Sequence, residues 1–423
     1  MNTAADPRTL EALDVWCGDE RGANHHIGRL TRTANGCEFR YLEGVSGPAV
    51  GARLPVRAAP YAVQGVNLPP WFAGLLPEGL RMRALVRGLK TSEDDLFTLL
   101  AAVGADTVGA VAVAPFGTAP VVAEPVADLD AAHELSFDAL LDASLHIDPT
   151  TGAGDRHALA GIQPKVSAGM ISFPVQARRA RARGFAACIL KLEPADYPRL
   201  VANEHFFMTV ARDVGLDVAR VRLLADREGR PGLLVDRFDR GRTTGGQAIV
   251  GRTAKFAQED ACQLLDRYPA DKYRVRLRDV ADALEVCTAP APERLRLLQL
   301  LAFSYLVANG DLHAKNLSVR TAGGLTRLTP GYDLLSTLPY GDDAMALPIE
   351  GRDKRWQRAD LVTFGERIGV RAAATERMLT TLVERLQRRL ADTTKPGLAS
   401  IGFDAKRTQH LEKVIGERSR ALA

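Results

Sequence analysis

Residues 309–316 read NGDLHAKN, and this short polar stretch decides how the rest of the chain is interpreted. It follows the strongly apolar segment 293–309, whose spacing predicts a helix, and it precedes the apolar run LSVR. Asp311 and Asn316 stand five positions apart, with Lys315 between them in a chain that has ten lysines among 55 Lys and Arg residues. A carboxylate, a lysine and an amide after a buried helix indicate a chemical site.

The spacing of Asp311 and Asn316 is that of the catalytic loop of protein kinases, where the Asp accepts the proton of the substrate hydroxyl and the Asn holds Mg²⁺. Downstream, the stretch TPGYDLLS places Asp333 at the end of a predicted apolar strand. Because Mg²⁺ prefers hard oxygen ligands and keeps its waters, one Asp, one Asn and ATP phosphates suffice for a site. The alternative is that these side chains cap turns, where Asp and Asn are common.

Lys191 ends the apolar run AACIL, so the pattern predicts an ammonium at the edge of a sheet, where it needs an anion. In a kinase that anion is the pair of α- and β-phosphates, and a glutamate on a helix holds the lysine. Glu204, in the following helical stretch NEHFF, is the candidate partner. The alternative is an edge lysine whose charged end reaches solvent.

Two further segments match a nucleotide site weakly. Residues 157–167, HALAGIQPKVS, hold Gly161 as their one glycine, although backbone amides of a turn can bind phosphate and Lys165 adds charge. Residues 233–240, LLVDRFDR, offer backbone groups to an adenine edge with Phe238 beside them. An ordinary hairpin turn and a salt-bridged turn are the respective alternatives.

Taken in order, the stretches HALAGIQPK, ILK, NE, LLVDRFDR, QEDACQ, NGDLHAKN and YDLLS resemble the HipA-type serine/threonine kinases, the toxin components of bacterial toxin–antitoxin pairs. The stretches WFAGLLPEGLRMR and LFTLLAAVGADTVGAV resemble the N-terminal domain of the same family. The resemblance covers roughly residues 12–390, and the motifs are specific jointly although each is weak alone.

The resemblance implies ATP and Mg²⁺ as cofactors and a role for each matched position. It implies that Lys191 binds the ATP phosphates with Glu204 as its partner, and that Asp311 is the catalytic base. The rest of the implied site is His313 and Lys315 near the γ-phosphate, Asn316 and Asp333 as magnesium ligands, Asp236 and Phe238 at the adenine hinge, and Gly161, Gln163 and Lys165 in a phosphate loop.

Local patterns predict individual elements. Short alternating apolar runs between residues 10 and 60 predict a small, mostly antiparallel sheet. Ser92 is the expected N-cap of a helix that runs to Val103, and residues 259–268 are expected to form a further helix. In the C-terminal third, apolar residues recur at the spacing of one helix face: Met378, Leu379, Leu382, Val383, Leu386 and Leu390.

The order of predicted strands and helices is typical of an α+β protein. The resemblance implies a kinase-like two-lobed fold, a sheet-rich lobe followed by a helical lobe, with an extra N-terminal α/β domain. We expect the N-terminal domain at 1–115 and an Ala-, Pro- and Val-rich linker at 116–135. The sheet-rich lobe is then expected at 136–255 and the helical lobe, with the catalytic loop and metal site, at 256–423.

The implied activity is phosphorylation of protein serine or threonine, with an aminoacyl-tRNA synthetase as the target class and growth arrest as the result. The implied partner is a HipB-like helix-turn-helix antitoxin, which brings the pair to DNA. Two alternatives stay open, because a fold does not fix its substrate. One is a small-molecule or lipid kinase on the same scaffold, and the other is a catalytically idle co-regulator that binds the antitoxin.

A net charge of +4 over 423 residues excludes a protein that holds nucleic acid by bulk charge, so we expect DNA contact mainly through the partner. Five scattered cysteines fit reduced thiols, and no apolar run reaches the roughly 20 residues that span a bilayer. The sequence therefore predicts a cytoplasmic protein without membrane contact.

Two stretches concern regulation and targeting. The family commonly has a serine before LAG, whose autophosphorylation switches the kinase off, and here that position is Ala158. Self-inactivation is then absent or uses another hydroxyl, such as Thr150, Thr151 or Ser167. Residues 176–184, QARRARARG, are either a solvated hairpin loop or a loop that binds anions.

Overall fold

The computed structural model describes residues 6–45, 47–65, 68–121, 135–139, 171–178, 185–194, 196–241 and 253–423. The predictions that fall outside these residues are the phosphate loop with Gly161, Gln163 and Lys165, the position of Ala158, the arginines between 179 and 184, and most of the linker at 116–135.

The strands are β1 (Ala12–Gly18), β2 (Asn24–Thr33), β3 (Gly36–Tyr41), β4 (Tyr61–Gln64), β5 (Val111–Pro115), β6 (Ile171–Arg178), β7 (Phe185–Leu192), β8 (Val221–Ala225), β9 (Pro231–Asp236), β10 (Arg240–Gly241), β11 (Ala254–Lys255), β12 (Ala257–Asp260), β13 (Ser318–Ala322) and β14 (Leu325–Leu328). The helices are α1 (Pro70–Ala73), α2 (Gly79–Leu89), α3 (Leu96–Val103), α4 (Leu200–Asp213), α5 (Ala261–Leu264), α6 (Leu277–Ala283), α7 (Pro290–Leu306), α8 (Arg358–Arg367), α9 (Ala372–Ala391) and α10 (Ala405–Leu422).

The N-terminal part is an antiparallel sheet in the order β4-β3-β2-β1-β5, with helices on one face. Apolar residues at alternating positions, such as Leu13 and Val15 of β1, point into one core together with Phe72 and Phe97 of the helices. A strand buries every second side chain on one face, so this alternation produces the layer. The antiparallel sheet expected from residues 10–60 is present.

A second antiparallel sheet, in the order β6-β7-β9-β8, lies in the middle of the chain. Its central strands β7 and β9 pair so that Lys191 stands opposite Leu233. Helix α4 packs on this sheet through Phe207, Val210 and its other buried apolar residues. Lys191 therefore lies on a central strand, in a region where a charge is buried.

The C-terminal part is mainly helical and adds a small sheet in the order β12-β13-β14. The long helix α7 lies in its core, and α9 presents the predicted apolar stripe, of which Leu379, Leu382 and Leu386 are buried. The four-stranded sheet, α4 and these helices share one continuous core, separate from that of the N-terminal sheet. In the part of the chain that the structure describes, no helix is both long and apolar enough to cross a membrane.

Two local predictions are wrong. Ser92 does not cap α3, because its hydroxyl accepts the backbone N–H of Asp94 in a local turn, and the helix begins at Leu96 with Asp95 as its cap. The stretch 259–268 is not one helix. Its first residues pair with β13 as β12, and Asp260 then caps the single turn of α5.

Candidate active site

The predicted site residues that the structure describes meet in one cleft between the four-stranded sheet and the loop 309–316. The segment that follows α1 closes another side of this cleft through Gly74 and Leu75. Of the predicted residues, the cleft is lined by Lys191, Asp236, Phe238, Asp311, His313, Lys315, Asn316 and Asp333. Glu204 lies behind Lys191, fully buried.

The ammonium of Lys191 contacts two carboxylates. Its Nζ lies 2.7 Å from Oε1 and 3.0 Å from Oε2 of Glu204, and it also donates to Oδ1 of Asp333. Burial alone would lower the pKa of Lys191, but the charges of Asp333 and Glu204 outweigh burial and raise it. Burial raises the pKa of Glu204 to about 7, against the opposing effect of Lys191. The lysine therefore stays charged and is held at the inner end of the cleft.

The sequence predicted that Asp333 ends an apolar strand, and this prediction is wrong. Strand β14 ends at Leu328, and the chain then turns so that Gly331 bridges to Val218 beside the four-stranded sheet. Asp333 follows with a φ of 56°, in the left-handed region that few residues other than Gly, Asn and Asp adopt. This backbone turn directs its carboxylate to Lys191.

The loop after α7 holds Asp311 and Asn316 together. Asn316 donates from Nδ2 to the backbone carbonyl of Asp311 over 2.9 Å, and the backbone N–H of Asp311 donates to Oδ1 of Asn309 over 3.0 Å. The backbone N–H of His313 adds a 2.8 Å bond to the same carbonyl of Asp311. All these residues are buried, so the loop conformation is fixed by internal hydrogen bonds.

Tyr273, which the sequence did not single out, donates its hydroxyl to Oδ1 of Asp311 over 3.0 Å. Burial and the nearby charge of Asp311 both raise the pKa of Tyr273, so the hydroxyl keeps its proton. The ring of Tyr273 also meets that of His313 edge to face, with centroids 5.1 Å apart. The proposed base thus has a defined hydrogen-bond donor.

His313 is almost fully buried, and its Nδ1 has no hydrogen-bond partner among the described residues. Burial, followed by the charge of Lys272, lowers the pKa of His313 to about 3. The imidazole is therefore neutral near pH 7 and lies in the cleft with an unused ring nitrogen.

Two more lysines border the cleft, each with a carboxylate. Lys315 donates to Oδ2 of Asp260 over 2.7 Å and to the carbonyl of Gly74 over 3.0 Å. Lys272 donates to Oε2 of Glu78 over 2.5 Å. Burial alone would lower the pKa of Lys315, but the charge of Asp260 outweighs it and the pKa is raised. Both Lys272 and Lys315 are buried, so their charges depend on these partners.

The predicted hinge forms the opposite wall of the cleft. Asp236 ends β9, and its carboxylate accepts a weak 3.5 Å bond from the thiol of Cys188. The backbone N–H of Arg237 donates to the backbone carbonyl of Ala187 over 3.0 Å. The ring of Phe238 lies 5.6 Å from that of Tyr332, tilted by 43°. The two rings make an apolar surface at this end of the cleft.

Tyr332 is a further residue that the sequence did not single out. Its hydroxyl donates to the carbonyl of Lys315 over 2.7 Å and lies 2.7 Å from Oγ of Ser318. It therefore joins the loop 309–316 to the segment that carries Asp333. Among the missed residues, Lys272 had a signal, because lysines are scarce in this chain. Glu78, Tyr273 and Tyr332 had none in the local pattern.

The described residues contain no group of three or more His, Cys, Asp or Glu side chains that could hold a metal ion. The predicted ligands Asn316 and Asp333 line the same cleft and offer oxygen atoms. Because Nδ2 of Asn316 is used on Asp311, the amide oxygen remains on the other side of the group. Two hard oxygen donors fit a magnesium ion whose other ligands are phosphate oxygens and water.

Two family models cover the chain. The model described as the HipA-like C-terminal domain matches residues 157–390, and the one described as the HipA N-terminal domain matches residues 13–114.

Relatives match over most of their length. The protein Y4mE of Sinorhizobium fredii is 32% identical, over 98% of this chain and 99% of the relative. The serine/threonine-protein kinase toxin HipA of Shewanella oneidensis is 28% identical, over 76% of each chain.

A solved structure shares the fold. It belongs to the complex of HipA, HipB and operator DNA from Shewanella oneidensis, and it matches with a TM-score of 0.70 at 23% identity over 96% of each chain. The predicted fold class, an α+β kinase-like body with an extra N-terminal part, is confirmed.

Proposed function

This chain belongs to the HipA family, and we propose that it is a protein serine/threonine kinase that uses ATP and Mg²⁺. The observation that carries the proposal is the convergence of Lys191, Glu204 and Asp333 on one side of a cleft that also holds Asp311 and Asn316. A lysine held by a helix glutamate next to an Asp and an Asn is the set that phosphoryl transfer needs.

The described residues fit ATP and a magnesium ion. Lys191 would face the phosphates, and the apolar surface of Phe238 and Tyr332 would face the base. Asn316 and Asp333 would hold the metal ion, whose positive charge offsets the charge that develops on the phosphoryl oxygens. The carboxylate of Asp333 would be shared between the metal ion and Lys191, which contacts its Oδ1.

The protein's own groups would mainly position and orient the reacting groups. Asp311 would accept the proton of the substrate hydroxyl, and Tyr273 holds one oxygen of its carboxylate. Asn316 fixes the backbone of Asp311, and neutral His313 adds no charge beside the reacting groups. Such fixed dipoles and charges favour the transition state because they need not reorganise during the reaction.

The target and partner follow from the family alone. We propose that the target is a protein of translation, such as an aminoacyl-tRNA synthetase, and that its phosphorylation arrests growth. We also propose a HipB-like antitoxin as partner and DNA contact through it, since the Shewanella oneidensis structure holds HipA with HipB and operator DNA. We likewise propose the domain boundaries near residues 115, 135 and 255, which separate the N-terminal domain, the linker, the sheet-rich lobe and the helical lobe.

Incubation of the chain with γ-labelled ATP, Mg²⁺ and a bacterial lysate tests the activity. A discrete labelled protein band that disappears when EDTA removes the metal supports the protein kinase. Label that enters only lipids or small molecules favours the small-molecule or lipid kinase. No transfer at all, with the antitoxin still bound, favours the idle co-regulator.

A further inference from the structure

The N-terminal part of the chain contacts three residues that line the cleft, namely Lys315, Lys272 and Ser172. The carbonyl of Gly74 accepts a bond from Lys315, and the carboxylate of Glu78 pairs with Lys272. Beyond them, Arg81 of α2 donates from Nη1 to the carbonyl of Ser172 on β6 over 3.1 Å. A segment of eight residues thus contacts the loop 309–316, the turn before Tyr273 and the four-stranded sheet.

The carboxylate of Glu78 pairs with Lys272 and does not cap its own helix, α2. Glu78 occupies the N-cap position of α2, where a side chain ordinarily accepts a hydrogen bond from the first turn, but it makes no such bond. Its carboxylate instead lies 2.5 Å from Nζ of Lys272. The side chain of Lys272 is buried and that of Glu78 is 10% exposed, so the pair is largely shielded from water.

Lys272 connects this pair to the proposed base. Its backbone carbonyl accepts the N–H of Ala314 over 3.1 Å, which ties the turn to the loop 309–316. Its ammonium lies 5.4 Å from the centroid of the Tyr273 ring, and Tyr273 donates to Asp311. The carboxylate from the N-terminal part is therefore three contacts away from Asp311, with Lys272 and Tyr273 between them.

The segment that carries Glu78 is itself held firmly. Trp71 donates from Nε1 to Glu259 over 2.8 Å, and Gln263 donates to the carbonyl of Trp71 over 3.0 Å. A Cβ on Gly51 would lie 2.1 Å from Nε1 of Trp71, so the backbone of Gly51 approaches the indole ring as closely as glycine allows. These contacts fasten α1, the helix that precedes Glu78, to residues 259 and 263.

We propose that Glu78 is a positioning residue of the catalytic site. The N-terminal part supplies the carboxylate that holds Lys272, and through it the Tyr273–Asp311 pair, in the geometry that phosphoryl transfer needs. This inference rests on the proposed kinase function.

The test uses the full-length chain with Glu78→Gln, Glu78→Asp, Lys272→Met and the double variant Glu78→Gln/Lys272→Met. Glu93, an exposed glutamate of the same part of the chain, gives the matched control Glu93→Gln. Transfer from γ-labelled ATP with Mg²⁺ to lysate protein is followed against ATP concentration, and binding of a fluorescent ATP analogue and thermal melting are measured on each variant.

We expect Glu78→Gln to lower kcat about 10- to 100-fold, because small displacements of catalytic groups have effects of this size. The KM for ATP and the affinity for the analogue should stay near the wild-type values, which a general loss of structure would not allow. Glu78→Asp keeps the charge and should recover part of kcat, and the double variant should be no slower than Lys272→Met. Glu93→Gln should match the wild type.

Wild-type kcat in Glu78→Gln, or a loss that follows only the loss of folded protein or of ATP binding, would overturn the inference. Multiplying effects of the two substitutions would overturn it as well, because the residues would then act separately. If the wild-type chain transfers no phosphate, the proposed function fails. If it is active and Glu78→Gln equals it, only the inference fails.

Discussion

The side-chain amide of Asn316 donates to the backbone carbonyl of Asp311, with Nδ2 and the oxygen 2.9 Å apart. The two positions that the kinase spacing brings to attention are therefore linked directly, before any nucleotide or metal is considered. Asn316 has two uses in this arrangement, since one end of its amide fixes the loop and the other is available to a cation. The first use needs an amide, because a carboxylate has no N–H to donate.

Asn316→Asp should remove the bond to Asp311 while keeping an oxygen for a cation. The new carboxylate faces the carbonyl of Asp311 and leaves that buried oxygen with one donor fewer, which costs about 1–3 kcal/mol of stability. We expect a lower free energy of unfolding in urea and a strong loss of phosphate transfer at every Mg²⁺ concentration. Asn24→Asp, at an exposed position, is the matched control. Wild-type stability and transfer in Asn316→Asp would show that the bond to Asp311 has no role.

Glu204→Gln should weaken nucleotide binding. The substitution leaves Lys191 with Asp333 as its charged partner, and Asp333 is also the proposed metal ligand. A hydrogen bond to a charged group is worth about 1.5–3 kcal/mol, which corresponds to about a 10- to 100-fold loss of ATP affinity. Titration calorimetry with Mg²⁺ and an ATP analogue measures the Kd, and Glu228→Gln, at an exposed position, is the control. An unchanged Kd would mean that Glu204 does not hold Lys191 for the phosphates.

Tyr273→Phe should slow transfer modestly. It removes one hydrogen bond to Asp311 and keeps the ring that packs against His313. A single bond of this kind contributes about 1 kcal/mol, so kcat should fall about fivefold with little change in the KM for ATP. Tyr61→Phe removes a hydroxyl that bonds the carbonyl of Pro55 on the surface and serves as control. A kcat equal to that of the wild type would exclude Tyr273 as a positioning residue.

Lys255 predicts a pH dependence of stability. Burial, followed by the charge of Arg240, lowers the pKa of Lys255 from 10.5 to about 8. Between these two values the unfolded chain binds more protons than the folded chain, so this residue makes the free energy of unfolding rise with pH. The contribution is about 2 kcal/mol between pH 8 and pH 10.

Urea unfolding of the wild type and of Lys255→Met over this pH range isolates that contribution, because the other groups titrate alike in both. At pH 8 the free energy of unfolding of Lys255→Met should exceed that of the wild type, and this excess should shrink as the pH rises. Lys406→Met, at an exposed position, should run parallel to the wild type. Parallel curves for Lys255→Met would contradict the lowered pKa.

Local patterns in the sequence were sufficient for much of the fold. The apolar alternation of β1 and the stripe of α9 each reflect one buried face, and the structure has both. The cap of α3 was misplaced because Ser92 and Asp95 are both good capping residues. The contact of Asp95 with Arg32, far away in sequence, is invisible locally.

In the candidate site, too, contacts between neighbouring elements could be predicted from the sequence and contacts between distant segments could not. Lys191 and Glu204 are 13 positions apart on adjacent elements, and their pairing could be expected from the order of strand and helix. Glu78 and Lys272 are 194 positions apart and meet only because the N-terminal sheet packs beside the cleft. The turn that directs Asp333 to Lys191 depends on a left-handed backbone, which the apolar pattern around it does not indicate.

The most direct test of the proposed function is the rate of phosphate transfer by Asp311→Asn. Asparagine keeps the size of the side chain and an oxygen for Tyr273 but cannot accept the proton of a substrate hydroxyl. We predict a rate about 100- to 10,000-fold below that of the wild type, with the affinity for an ATP analogue unchanged. Transfer by Asp311→Asn at the wild-type rate would contradict the assignment of Asp311 as the catalytic base.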